Sequence, residues 1–184
     1  MTKNLEKDYI KLPSGIYVAK QITLLDKDWF DSHKLLQEQG NRMLTPIEFV
    51  EFLNHTKDNF PKIYREITEV RNPWRAEHLD AYFEKRKDGL YILTGNRTKE
   101  EKLDEDTLVK DRIPGISLDD YLSRAHTSQG LPRSDVKKGN LYFWHPRNGS
   151  GAWFFADDGR ASLNCYGGPQ LRNFDVGVRA VRRE

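Results

Sequence analysis

The segment GAWFFADDGRASLNCYGGPQLRNFDVGVRAVR, residues 151–182, alternates between two kinds of position. One kind holds residues that commonly fix a fold: glycine, tryptophan, proline, arginine and a closing strand that runs from Val176 to Arg179. The other kind holds chemically unrelated side chains. In an apolar closing strand, Gly177 suits a close approach of two backbones, and Arg179 must be buried with hydrogen-bond partners because an unpaired buried guanidinium is very costly. The segment therefore predicts a fixed frame with dissimilar side chains in the gaps.

The composition of residues 141–183 differs from that of the rest of the chain. This part contains no Lys, Glu, Ile, Met or Thr, yet it holds six of the 13 glycines. Small and aromatic residues with few long charged chains are typical of a recognition surface, because aromatic rings give a large contact area at low entropic cost. Composition alone favours equally a glycine-rich β-region whose aromatic residues form the core.

The overall composition excludes several classes of protein. The chain has 184 residues, enough for one domain with a real core. The formal net charge is only +2, which does not favour a nucleic-acid partner, and a single cysteine excludes an internal disulfide and a cysteine-based zinc cluster. Neither a signal peptide nor a membrane-spanning run is evident. We therefore expect no membrane insertion and a cytoplasmic location, unless the protein is exported or anchored through a partner.

The first third of the chain predicts a strand followed by two helices. Residues 14–25 alternate and are β-branched, which indicates a strand. Asp26 is a candidate cap for a helix over 26–39 that ends at Gly40. Thr45, Pro46 and Glu48 form the pattern of a capping box, which predicts a second helix over 46–55.

The middle of the chain is less regular. Residues 60–90 predict a short helix around NPWRAEHLDAYFEKRKDG, and residues 89–95 read as a strand. Residues 96–112 are nearly all charged and predict a solvated loop, whereas 116–127 predict a short helix capped by Ser117. With no clear boundary, we expect one domain over 1–184, in which 56–140 are an elaborated insertion.

Two pieces of the sequence resemble a known family. The piece WFDSHKLLQEQGNRMLTPIEFVEFL, residues 29–53, is similar to the opening of the C-type lectin fold in formylglycine-generating-enzyme-like proteins. The ending GAW…R…P…R…VGVR resembles that fold's closing segment, although Gly-Ala stands where Gly-Ser is usual and Val178 where Phe is usual. Within this fold, alternating frame and variable positions resemble the variable proteins of diversity-generating retroelements, with archaeal members nearest.

The resemblance implies an α+β fold, with the two helices packed on a small, mostly antiparallel sheet that has long irregular loops. It implies that the strand near 15–24 pairs with the one near 176–182. In such systems the end of the gene is rewritten at adenines, mostly in asparagine codons, which cannot produce Lys, Glu, Gln, Met or Trp. The frame positions are Gly151, Trp153, Ala156, Arg160, Pro169, Arg172, Gly177 and Arg179. The variable positions, all within the adenine-reachable set, are Phe154, Phe155, Asp157, Asp158, Leu163, Cys165, Tyr166, Gly167, Gly168, Leu171, Asn173 and Phe174.

The resemblance also implies a division of labour within residues 141–182. The variable side chains, joined by Tyr142, His145 and Arg147, are expected to form one exposed ligand-binding face. Trp153 and Arg179 are expected to lie beneath it as core anchors. The implied partner is an unidentified protein or cell-surface ligand. The resemblance implies neither a nucleic-acid partner nor a cofactor. It leaves open whether an accessory or anchoring partner is also bound.

Three functions compete on this sequence. A non-enzymatic binding protein fits the pattern best. A formylglycine-generating-enzyme-like oxidase needs a pair of cysteines, and only Cys165 is present. A calcium-dependent lectin would be expected to carry Glu-Pro-Asn or Gln-Pro-Asp, and neither triplet occurs.

Several individual residues have more than one possible role. Asp157 and Asp158 favour a turn with ligand contacts over a calcium site. Cys165 could be a nucleophile, but no base is indicated near it, and His145 is more typical of a packed or surface histidine. The five histidines lack metal-ligand spacing, so we expect neither a catalytic nor a metal site.

Overall fold

The computed structural model describes residues 5–110, 112–157 and 159–183, without the side chains of 112–114. The described chain is an α+β protein. Its helices are a 3-10 turn at Leu5–Lys7, α1 (Trp29–Glu38), α2 (Pro46–Asn59), α3 (Pro61–Thr68) and α4 (Leu118–Ser123). Its strands are β1 (Tyr9–Lys11), β2 (Tyr17–Ala19), β3 (Arg42–Met43), β4 (Ala76–Arg86), β5 (Gly89–Thr94), β6 (Lys99–Lys102), β7 (Arg112–Ile116), β8 (Leu141–Trp144), β9 (Ser150–Asp157), β10 (Arg160–Gly167), β11 (Val176–Val178) and β12 (Ala180–Arg182).

The capping box predicted for α2 is confirmed. Thr45 Oγ1 accepts a hydrogen bond from the Glu48 N–H, and the Glu48 carboxylate accepts one from the Thr45 N–H at 3.0 Å. These bonds satisfy amides that the first helical turn leaves without partners. The helix continues to Asn59, four residues beyond the predicted end, and Pro61 then begins α3.

The cap of α1 differs from the prediction by two residues. Asp26 has a φ of 62°, which is left-handed and cannot begin a helix. Asp28 is the cap instead, and its Oδ1 accepts the Asp31 N–H at 2.8 Å. Helix α1 itself lies within the predicted range of 26–39.

The two ends of the chain meet in a four-stranded sheet with the order β1-β2-β12-β3. Strand β12 is antiparallel to β2, with Val181 opposite Val18 and Arg182 opposite Tyr17. This confirms the predicted pairing of the strand near 15–24 with the one near 176–182, although β2 covers only a short part of residues 14–25.

The larger sheet has eight strands in the order β6-β5-β4-β9-β10-β8-β7, with β11 beside β4. The pairs β10–β8 and β11–β4 are parallel, and the others are antiparallel. Helix α2 packs on one face of this sheet, where the Phe49 and Phe154 rings lie 5.0 Å apart between centroids. We call this the inner face, and the opposite side of the sheet the outer face.

The prediction of a short helix around residues 72–89 is wrong. That region forms β4, an 11-residue strand between β5 and β9, and the helix lies earlier, in α3. The polar residues Glu77, His78 and Asp80 obscure the strand pattern, although all three are buried. Burial inside a sheet overrides local propensity here.

The solvated loop expected over 96–112 contains a strand, β6, whose four residues are all exposed. An edge strand of this kind needs no apolar face, and its charges discourage pairing with other chains. Arg86 pairs with Glu100 at 2.8 Å, and Lys102 pairs with Asp88 at 3.2 Å. The predicted strand over 89–95 is confirmed as β5, and the Ser117 cap is confirmed at the start of α4.

Candidate functional site

Arg179 joins the two sheets from a buried position, as predicted. Its side chain is 4% exposed, and Nε donates to Glu77 Oε2 at 2.8 Å. Nη1 donates to the backbone oxygens of Ala19 and Lys20 at 3.2 and 2.5 Å. The guanidinium also lies 5.3 Å from the centre of the Phe52 ring. The buried charge is therefore paired and hydrogen-bonded, which is the condition for tolerating it.

Gly177 confirms the predicted close approach. A Cβ at this position would lie 2.5 Å from the carbonyl oxygen of Thr23. Thr23 and Val178 exchange backbone hydrogen bonds at 2.8 and 2.9 Å, so this oxygen cannot withdraw without breaking them. Only glycine fits at this point in β11.

Residues 168–175 form a loop that we call the display loop. Its backbone is fixed to the start of α1, because Pro169 accepts a hydrogen bond from the Trp29 N–H at 2.9 Å. Arg172 reinforces this attachment by donating to Asp28 Oδ2 at 3.1 Å and to Asp31 Oδ2 at 2.6 Å. Phe174 projects from this fixed backbone with 77% of its side chain exposed.

The pairing of β9 with β10 separates the predicted variable residues into two groups. Directly opposed residues share a face, so Phe154 and Leu163 lie together on the inner face. Phe154, Leu163 and Cys165 are at most 1% exposed, so the expectation that they face solvent is wrong. The pleat of the strands alternates side chains between faces and sends these three into the core.

Cys165 is a core residue rather than a reactive one. Burial raises the pKa of its thiol, so the thiol stays protonated at neutral pH. The nucleophile alternative loses its support.

The outer face carries Phe155 and Trp153, which are both partly exposed. Trp153 was expected to be a buried core anchor beneath the variable residues, and this is wrong, because it is partly exposed on the outer face beside Phe155. Trp74, Phe155 and Trp153 follow one another with ring centroids 5.7 Å apart at each step. His78 continues the series at 6.2 Å from Trp153, nearly parallel to its ring.

His78 is a residue that the sequence did not single out. It is buried, and burial lowers its pKa to about 4, so its imidazole is neutral at pH 7. Neither its Nε2 nor the Nε1 of Trp153 has a hydrogen-bond partner within the described residues. The sequence analysis did not select His78 because it did not recognise β4 as a strand, so nothing placed His78 beside Trp153.

The predicted residue Tyr142 and the unpredicted Trp144 extend the outer face along β8. Tyr142 lies opposite Ser162, and Trp144 lies opposite Asn164, so all four share the face of Phe155 and Trp153. The Arg160 guanidinium lies 4.0 Å from the centre of the Tyr142 ring. Beyond Trp144, Arg147 lies 4.1 Å from the centre of the half-exposed Tyr166 ring. His145 Nδ1 lies 3.0 Å from the backbone oxygen of Val109, in keeping with a packed histidine.

The exposure of the predicted variable positions is therefore uneven. Asp158 lies outside the described residues. Partly exposed are Phe155 and Gly167. Exposed are Asp157, Tyr166, Gly168, Leu171, Asn173 and Phe174.

Gly167 is constrained by its neighbour. A Cβ there would lie 2.9 Å from Trp153 Nε1 and 3.1 Å from its Cδ1. The indole is rigid, so a side chain at position 167 requires Trp153 to move. A Cβ added to Gly168 would meet no atom within 4 Å, so position 168 is free to vary.

We expect Gly167→Ala to destabilise the protein by about 1–3 kcal/mol, because it overpacks the contact with Trp153. Gly168→Ala is the matched control and should stay within about 0.5 kcal/mol of the parent. Urea denaturation followed by tryptophan fluorescence measures both. Equal stability of the two variants would contradict the close packing of Gly167 against the Trp153 ring.

Two open clefts lie away from the outer face. One cleft of about 520 Å³ lies between α2 and α4 and is lined by Val50, His55 and Leu122. Another, of about 620 Å³, lies beside β2 and is lined by Tyr9, Thr23 and Asn41. Neither includes the residues of the outer face or of the display loop.

Among the described residues, no three His, Cys, Asp or Glu side chains are grouped to hold a metal ion. The described helices include none with the length and apolar character needed to cross a membrane. Comparison with protein-family models, curated proteins and solved structures gave no match.

Proposed function

We propose that this protein is a non-enzymatic binding protein of C-type lectin-like fold, from the class of variable proteins of diversity-generating retroelements. Its ligand, a protein or a cell-surface molecule, binds the outer face together with the display loop. One observation carries the proposal. Frame residues such as Arg179 and Gly177 are held by buried contacts, while six of the twelve predicted variable residues are exposed.

The fold assignment is supported by three features. Strand β2, near the start of the chain, pairs with β12 in one small sheet. The two helices that carry the resemblance, α1 and α2, flank β3. The closing segment places an arginine in a buried ion pair and a glycine against the carbonyl oxygen of Thr23.

A protein ligand is favoured over a flat sugar surface. Stacking against a flat polysaccharide needs rings that present their faces in one plane. The rings of Trp74 and Phe155 meet at 62°, and those of Phe155 and Trp153 at 63°. Such a contiguous, uneven aromatic surface is suited to anchoring in protein interfaces, where tryptophan and tyrosine are enriched as hot spots.

Diversification is tested on the gene. We expect a near-copy of its end beside a reverse-transcriptase gene, with adenines at the codons for Asp157, Tyr166, Leu171, Asn173 and Phe174. Gene copies from a natural population should differ at these codons, because surface changes cost little stability.

The codons for Phe154, Leu163 and Cys165 serve as internal controls, since these side chains are buried. They should vary much less. Absence of the near-copy, or variation concentrated at the buried codons, would contradict the proposal.

A further inference from the structure

The cleft of about 520 Å³ between α2 and α4 is a groove along the solvent side of α2. Ile47, Glu51, Asn54 and Asp58 line it, and steps of four, three and four residues place them in one stripe of the helix. The stripe is about 17 Å long at about 1.5 Å per residue. Because α2 covers the inner face of the larger sheet, the groove lies on the opposite side of that sheet from the outer face.

Part of the groove is apolar. Val50 and Leu122 line it and are 2% and 1% exposed, so they form its floor, and the half-buried Ile47 lies on the same helix as Val50. A partner that covers this floor with apolar side chains gains stability from the area removed from water.

The rim of the groove carries an excess of negative charge. The described residues that line it include Glu48, Glu51 and Asp58 but no Lys or Arg. Glu48 is compensated by Arg42, whose Nη1 and Nη2 donate to it at 2.7 and 2.6 Å. Glu51 Oε1 accepts the neutral backbone N–H of Ser14 at 2.8 Å, which leaves its charge uncompensated, and Asp58 pairs with no cation among the described residues. These last two carboxylates are two turns apart, about 10.5 Å along α2.

Two neutral side chains of the groove add further acceptors. Asn54 Nδ2 donates to the backbone oxygen of Leu122 at 2.8 Å, which leaves Asn54 Oδ1 to accept. His126 Nδ1 lies 2.7 Å from the backbone oxygen of Tyr121. That oxygen can only accept, so Nδ1 carries the hydrogen and Nε2 of the neutral ring is an acceptor. The groove therefore suits a ligand that is rich in N–H donors and positively charged.

We infer that this groove binds a basic amphipathic helix of a protein partner. The apolar side chains of that helix cover Val50 and Leu122, and two Lys or Arg about two turns apart reach Glu51 and Asp58. A helix is favoured over an extended segment because both walls of the groove are helices and offer no strand edge for main-chain pairing. The inference is independent of the proposed function, since the groove and the outer face can be occupied at the same time.

The test is a selection of random 16-residue peptides displayed on phage against the intact protein. The library is first depleted on a double variant, Glu51→Gln with Asp58→Asn, which removes peptides that bind elsewhere on the surface. We expect the enriched peptides to carry Lys or Arg on both sides of apolar residues at helical spacing, and to become helical by circular dichroism when bound. As synthetic peptides, they should bind the double variant about tenfold or more weakly, because hydrogen bonds between charged groups are lost.

The matched control is a second double variant, Glu38→Gln with Asp106→Asn. It removes one Glu and one Asp carboxylate, both exposed and both outside the groove. Peptide binding to it should change less than about twofold. Both double variants should unfold at the same urea concentration as the parent, since each keeps a side chain of nearly the same shape at the surface.

Three outcomes overturn the inference. The first is that depletion leaves no peptide to enrich. The second is that the enriched peptides are neutral or acidic, bind the two double variants equally, or bind without forming a helix. The third is that spermine displaces the peptides and binds as tightly as they do, because the occupant is then a free polyamine and not a partner helix.

Discussion

Arg179→Ala is expected to destabilise the protein by about 3–5 kcal/mol, the usual range when one partner of a buried ion pair is removed. The change leaves the Glu77 carboxylate buried without its guanidinium at 2.8 Å. It also removes the donors to the backbone oxygens of Ala19 and Lys20, which connect the end of β2 to the segment between β11 and β12. Chemical denaturation in urea measures the loss.

Arg172→Ala is the control for this prediction. Arg172 is also an arginine of the frame and pairs with Asp28 and Asp31, but its side chain is 55% exposed. Exposed ion pairs contribute at most about 1 kcal/mol, so this variant should remain close to the parent in stability. If the two variants lose equal stability, Arg179 is not a buried anchor.

Phe154→Ala should cost about 3–5 kcal/mol, whereas Phe174→Ala should stay within about 0.5 kcal/mol of the parent. Both residues were predicted to be variable, and both substitutions delete the same ring. Phe154 is 1% exposed and packs on Phe49, whereas Phe174 is 77% exposed on the display loop. The two denaturation curves therefore compare the free energy of unfolding lost on removing a buried ring with that lost on removing an exposed ring.

Burial also limits which residues can be exchanged together. A multiple variant that includes Leu163 and Cys165 changes the core and should lose stability. A multiple variant restricted to Asp157, Leu171 and Asn173 changes only the surface and should keep the stability of the parent.

For the pair of single variants, the opposite result would be a stable Phe154→Ala and an unstable Phe174→Ala. That result would contradict the burial of Phe154 and the exposure of Phe174.

Features with a local cause were predictable from the sequence. The α2 cap depends only on hydrogen bonds between Thr45 and Glu48, which are three residues apart. Arg179 was predictable for another reason, since a charge in an apolar closing strand has few acceptable solutions. The coarse α+β class and the pairing of the chain ends were expected from the family resemblance instead.

Features that depend on distant partners were not predictable. Glu77 is acceptable in β4 because Arg179, 102 residues later, pairs with it. Without that partner the strand reads as a polar helix. The faces of Phe154 and Phe155 depend on the register between β9 and β10, and two adjacent phenylalanines do not reveal which of them points inward.

The order of the last strands has a consequence for how altered gene copies are screened. Strands β11 and β12, with Arg179 between them, follow the segment that we propose to be rewritten. A stop codon or a shifted reading frame within that segment deletes both strands, exposes the pairing edges of β2 and β3, and leaves Glu77 buried and alone. Such a chain cannot complete its fold and becomes a substrate for cellular proteases. If the gene is rewritten as we propose, folding therefore selects for copies that are translated in frame through β12, because only these complete the small sheet and pair Glu77 with Arg179.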